Sequence, residues 1–104
     1  MPEPLVFSIA AYDHLADAIA REAGWERGQV VRKQFPDGER YLRIETDPAD
    51  RDVIIVGGTV DDPTTLELYD LACGCVSGGA YRLRMVIPFF GYSTMERSVH
   101  HGEI

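Results

Sequence analysis

Two stretches of the sequence gather residues that could do chemistry. Gly57-Gly58-Thr59-Val60-Asp61-Asp62 and Phe89-Phe90-Gly91-Tyr92-Ser93-Thr94-Met95-Glu96-Arg97 each mix small, backbone-exposing residues with groups able to bind phosphate, a metal or a base. Each follows an apolar, strand-like run, and in open parallel sheets ligands sit beyond the carboxyl ends of the strands. Gly57-Gly58-Thr59 also precedes a helix start, an arrangement that can offer N–H groups to an anion. Neither a Walker A pattern nor a G-x-G-x-x-G after a strand is present, so no common phosphate-loop fingerprint applies. Spacing alone leaves both readings open, a ligand site or a plain turn.

A third group, Cys73-Gly74-Cys75 with His100-His101, supplies four zinc ligands on paper. The two cysteines lie two apart on an expected helix, however, and so point to different faces. Free cysteine is among the most buried residue types, and core packing is the reading for both. The histidine pair reads as an exposed turn, with Glu103 near enough to help hold a magnesium-bound phosphate. No Ser/His/Asp order and no nucleophile elbow supports hydrolase chemistry.

The elements that must position these residues follow from periodicity. Leu5 to Ala10 is a short apolar run of strand length, and Leu15, Ala18, Ile19 and Ala23 then recur at helical spacing until Gly24. Gln29 to Phe35 and the alternating Arg40 to Glu45 flank Pro36-Asp37-Gly38-Glu39, a turn in which each residue type has a part. These segments predict a hairpin with one wet face. Val53 to Val56 is wholly apolar and β-branched, as a central strand covered on both faces should be. Asp62 is placed to cap the next helix with Pro63 at its first position. Leu66, Tyr69, Cys73 and Val76 fall at helical spacing, and Ser77-Gly78-Gly79 ends the run. Leu83 to Phe90 is a last strand closed by Pro88. Strand, helix, hairpin, strand, helix, strand makes an α/β domain: a mostly parallel sheet with helices on both faces and a projecting β-hairpin.

With 104 residues the chain has one domain's worth of sequence, and no internal repeat or linker divides it. A sheet ending just after a core strand leaves that strand uncovered, so residues 1–104 read as a single, incomplete N-terminal domain of a larger protein. Ten Lys and Arg against seventeen Asp and Glu give a net charge of −7, and no basic stripe suits nucleic acid. The N-terminus has no secretory pattern, and no apolar run approaches the ~20 residues that span a bilayer. Two cysteines are too few for a disulfide scaffold. The expectation is a cytoplasmic protein that binds neither membrane nor nucleic acid.

Four motifs in register resemble one family. Gln34-Phe35-Pro36-Asp37-Gly38-Glu39-Arg40 resembles the Phe-x-Asp-Gly-Glu signature of ribose-phosphate pyrophosphokinases, and Asp52-Val53-Ile54-Ile55-Val56 resembles the strand that follows it. Thr64-Thr65-Leu66-Glu67-Leu68 is similar to the family's helix opening, and Met85-Val86-Ile87-Pro88-Phe89-Phe90-Gly91-Tyr92 to its later strand and exit. The resemblance runs from about Leu5 to Ile104.

It implies a phosphoribosyltransferase-like fold in a homo-oligomer. It further implies an enzyme that moves the β,γ-pyrophosphoryl group of ATP, with Mg²⁺, to the C1 hydroxyl of ribose 5-phosphate. By the same resemblance the hairpin reaches a neighbouring subunit's ATP, with Phe35 stacked on adenine and Asp37 and Glu39 accepting hydrogen bonds near the base. Where the family has Tyr-Ala-Arg-Gln-Asp-Arg, this chain has Tyr92-Ser93-Thr94-Met95-Glu96-Arg97, so Glu96 and Arg97 are the nucleotide contacts carried over. The family's catalytic His, its lysine-bearing loop and its Asp-Asp loop have no counterpart in these 104 residues. The chain alone is therefore expected to be inactive, with no catalytic or metal-ligating residue of its own. The Thr94-Met95 replacement raises an alternative, a non-catalytic nucleotide-binding or regulatory paralogue that associates with true synthetases.

Overall fold

The computed structural model describes residues 3–89 and 91. The first strand, β1 (Leu5–Ser8), leads through a 3₁₀ turn (Ala10–Tyr12) into α1 (Asp13–Ala23). There follow β2 (Glu26–Arg27), the hairpin strands β3 (Val30–Gln34) and β4 (Arg40–Ile44), β5 (Asp52–Val56), α2 (Asp62–Ser77) and β6 (Arg82–Val86). The main sheet has the order β2-β1-β5-β6 and every pair in it is parallel; β3 and β4 pair antiparallel as a separate two-stranded sheet.

Alternate residues of the central strands divide the core between two faces, as the two-residue period of a strand requires. Leu5, Phe7, Val53 and Ile55 pack with Leu68, Leu71 and Cys75 of α2, while Val6, Ile54 and Val56 pack with Ala16 and Ala20 of α1. The helices thus cover opposite faces, and the small alanines let α1 lie close to the sheet. Gly24, at φ 71°, ends α1 as expected, its N–H donating to the Ala20 and Arg21 carbonyls.

Several expectations need correction. The cap of α2 is Asp61, one residue earlier than expected, with Pro63 at the second helical position. Its carboxylate accepts the Thr64 N–H while Thr64 Oγ1 accepts the Asp61 N–H. The stripe of Leu66, Tyr69, Cys73 and Val76 that signals the helix faces solvent, whereas Leu68, Leu71 and Cys75 are buried. Core packing therefore holds for Cys75 and fails for Cys73. The helix is apolar on both sides, so periodicity could find it without telling which side meets the sheet. The strand β2 was not expected, being two charged residues long, and β6 ends at Val86, short of Pro88.

The hairpin forms where the sequence places it. Phe35 N–H donates to the Glu39 carbonyl and Gly38 N–H to the Phe35 carbonyl, with Gly38 at φ 90°, where L side chains are strained. Its inner face rests Val30, Leu42 and Ile44 against the α2-side core. Strand register then puts Lys33, Phe35, Tyr41 and Arg43 on the outer face.

Candidate functional site

The sheet order reverses direction between β1 and β5, so the crevice beyond the carboxyl ends of those two strands is the topological switch point. Its walls are the segment leaving β1 and the loop Gly57-Gly58-Thr59. This loop is not an open anion cradle: Gly57 N–H donates to the Val86 carbonyl and Thr59 N–H to the Phe89 carbonyl. Thr59 Oγ1 also accepts the Gly91 N–H at 2.7 Å. Two of its three N–H groups are engaged in tying the exit of β6 to the end of β5 and so are not turned toward an anion, which favours the turn over the phosphate-binding reading. A Cβ on Gly58 would lie 2.2 Å from the Tyr12 hydroxyl, so a side chain there would displace the tip of that ring.

The other wall is densely charged. Arg27 donates to Asp13 at 3.0 Å, to Asp17 at 2.8 Å and to Ser8 Oγ at 2.8 Å, and Ser8 Oγ donates to Asp13 at 2.6 Å. These residues and Arg32 line a polar cavity of about 250 Å³ at the ends of β1 and β2. From the hairpin, Arg32 Nε donates to Glu67 Oε2 at 2.7 Å and its Nη2 donates to the Ser8 carbonyl. The same Glu67 oxygen accepts the Ala10 N–H at 3.1 Å. Arg40 on the paired strand donates to Asp70 of α2. Arg40 and Glu67 fall within the motifs that resemble the family, but neither they nor the other residues of this network were assigned a role from the sequence. The available signal was the charge of Arg32 and Arg40 on the hairpin face that also carries Val30, Leu42 and Ile44.

The hairpin tip brings together Phe35, Asp37 and Glu39, three of the five residues expected to bind nucleotide. Phe35 is 46% exposed, and its ring meets Tyr41 edge-on, centroids 5.9 Å apart, with the Lys33 ammonium 5.9 Å from the Tyr41 ring centre. An exposed ring flanked by a second aromatic and a cation is a platform on which a planar base can stack. Asp37 Oδ1 accepts the Glu39 N–H at 2.9 Å, so this carboxylate shapes the turn at the tip. Glu39 is exposed beside it. Glu96, Arg97 and the residues Thr94, Met95, His100, His101 and Glu103 lie outside the described residues. Among the described residues no three His, Cys, Asp or Glu side chains converge as a metal site, and no helix is long and apolar enough to cross a membrane.

The fold and the hairpin have counterparts in known proteins. A family model described as the N-terminal domain of ribose phosphate pyrophosphokinase matches residues 5–104. The ribose-phosphate pyrophosphokinase of Methanobrevibacter smithii is 34% identical over 100 residues, which is 95% of this chain and 34% of the relative. That of Rhodopirellula baltica is 35% identical over 100 residues, 93% of this chain and 31% of the relative. The chain thus spans about a third of the length of these relatives. In structure it is similar to the phosphoribosylpyrophosphate synthetase of Mycobacterium smegmatis, with a TM-score of 0.85 at 19% identity over 98% of this chain and 35% of that one. A purine phosphoribosyltransferase from Pyrococcus horikoshii shares the fold more loosely, with a TM-score of 0.57 at 17% identity over 86% of this chain and 68% of that one. Hairpin, switch-point sheet and sequence agree, and the chain belongs to the ribose-phosphate pyrophosphokinase family, matching its N-terminal domain.

Proposed function

We propose that this chain forms the nucleotide-side portion of a ribose-phosphate diphosphokinase, which transfers the β,γ-pyrophosphoryl group of ATP to C1 of ribose 5-phosphate. The observation that carries the reading is the family's signature hairpin, closed by turn hydrogen bonds with a half-exposed Phe35 at its tip. In this account Phe35 stacks on the adenine of ATP held by a neighbouring copy, so the protein works as a homo-oligomer in the cytoplasm. Asp37 fixes the turn, and Glu39, with Glu96 and Arg97 from the later loop, supplies polar contacts to the nucleotide. Magnesium, when bound, neutralises the phosphate charge that positioning alone cannot.

The test is release of AMP from ATP and ribose 5-phosphate by the protein as isolated from its own cells. Phe35→Ala should raise the KM for ATP roughly 5- to 160-fold, the range that loss of one base stack at about 1–3 kcal/mol implies. The KM for ribose 5-phosphate should stay unchanged; an unaltered KM for ATP would refute the assignment of Phe35. The 104 residues alone should release no AMP.

Thr94-Met95 favours a second reading, a non-catalytic paralogue that joins active synthetases. Under it the isolated protein shows no turnover, yet copurifies with an active synthetase and alters that enzyme's rate.

A further inference from the structure

The hairpin is held to the body of the domain at two charged points as well as by its apolar base. Arg32 on β3 reaches Glu67, and Arg40 on β4 reaches Asp70, three residues further along α2. The Arg32 point is the more enclosed, with Glu67 13% and Arg32 27% exposed at the side chain. It is also the more branched. One Glu67 oxygen accepts from both the Arg32 guanidinium and the Ala10 N–H, while the guanidinium donates to the last carbonyl of β1. Hairpin, helix and switch-point segment therefore meet at a single carboxylate oxygen. Apolar contacts at Val30, Leu42 and Ile44 fix how close the hairpin sits but allow it to slide, whereas directional charge-assisted hydrogen bonds fix an angle. The ladder and turn that make the hairpin itself are internal to it, and so is its closed base, where Glu45 N–H donates to the Gln29 carbonyl and Gln29 N–H to Thr46 Oγ1.

We propose that Arg32 and Glu67 are positioning residues that set the angle at which the hairpin projects from the sheet, with Arg40 and Asp70 as a second, weaker stay. The inference rests on the reading above in one respect: the angle matters for function because the tip meets a nucleotide. Loss of the Arg32 guanidinium leaves the hairpin folded and frees its lean. Arginine suits the position because one rigid fork donates from two nitrogens to two acceptors, the Glu67 carboxylate and the Ser8 carbonyl, where a lysine offers a single nitrogen on a flexible stem.

The test is the orientation of the hairpin relative to the sheet in the isotopically labelled chain, from residual dipolar couplings. In the wild-type chain one alignment tensor should fit the amides of β1, β5, β3 and β4 together. In Arg32→Met, which keeps the apolar stem, the hairpin couplings should shrink about twofold against those of the sheet. Hydrogen bonding within the hairpin should remain unchanged. Arg32→Lys should fall between, and Glu67→Gln, which keeps shape, gives the same answer should Arg32→Met fail to fold. A hairpin that keeps the sheet's tensor in the folded variants overturns the proposal. The KM for ATP of the protein as isolated from its own cells separates the two claims. A preorganised tip should lose about tenfold in apparent ATP affinity in Arg32→Met. A wild-type hairpin that shares the sheet's tensor, in a protein whose KM for ATP is unmoved by Phe35→Ala, leaves the positioning role standing and removes the nucleotide reading.

Discussion

Cys73 and Cys75 show how much a helix face decides at the scale of one residue. Cys75 is wholly buried among Leu68, Leu71 and the sheet, and burial pushes its thiol up to about 11, while Cys73 stands exposed. Because the thiolate is the nucleophile, the folded chain should take up one equivalent of iodoacetamide at pH 8 and two after unfolding, read by intact mass. Two equivalents on the folded chain would contradict the assigned face. Asp52 makes a similar case for charge. The Arg82 guanidinium bonded to it, with Arg84 beside it, holds its carboxyl below the ordinary value of 3.8 against the opposing effect of burial. A lowered carboxylate pKa contributes stability that is complete above the unfolded value and lost as pH falls through the folded one. Asp52→Asn should therefore be less stable than wild type at neutral pH, with the difference shrinking below about pH 4. A constant difference from pH 7 to pH 2, measured by urea unfolding, would show that the ion pairs contribute nothing.

At the scale of elements, local pattern carried most of the fold. The alternation of Arg40 to Ile44, the Pro-Asp-Gly turn and the unbroken apolar run of β5 each state their structure within five or six residues, and the hairpin and central strand stand where the sequence put them. What the sequence did not disclose depends on partners distant in the chain. The buried side of α2 is chosen by the sheet, since both of its sides are apolar. The strand β2 exists only because Glu26 and Arg27 lie beside Leu5 and Val6. The site was legible to the same degree: Phe35, Asp37 and Glu39 come from one contiguous motif, whereas Arg32 and Glu67 are 35 residues apart and their pairing is set only when the hairpin lies against α2. The joint between β2 and β3 is equally tertiary. A Cβ on Gly28 would stand 2.5 Å from the ring of Phe7, which is fully buried. Gly28→Ala should cost about 1–3 kcal/mol, the usual penalty for overpacking a tight core. A variant within 0.5 kcal/mol of wild type by denaturant unfolding would mean that the Phe7 ring has room to move.

For the whole molecule, the parallel sheet with helices on opposite faces gives a switch point, and the hairpin is the part that departs from that plan. The body engages its own charges at the crevice, through Arg27, Arg32 and Glu67, while the projecting tip leaves an aromatic ring exposed. In the proposed reading that exposed ring is the surface offered to a neighbouring copy. The central claim is that this tip is a nucleotide-binding element. The most direct measurement is a titration of the assembled protein, isotopically labelled in its own cells, with ATP and Mg²⁺, following the assigned backbone amides of this chain. The account predicts saturable shifts concentrated at Phe35 to Glu39, absent with ribose 5-phosphate alone and abolished in Phe35→Ala. Shifts confined to Gly57 to Thr59, or none anywhere at millimolar ATP, would contradict it.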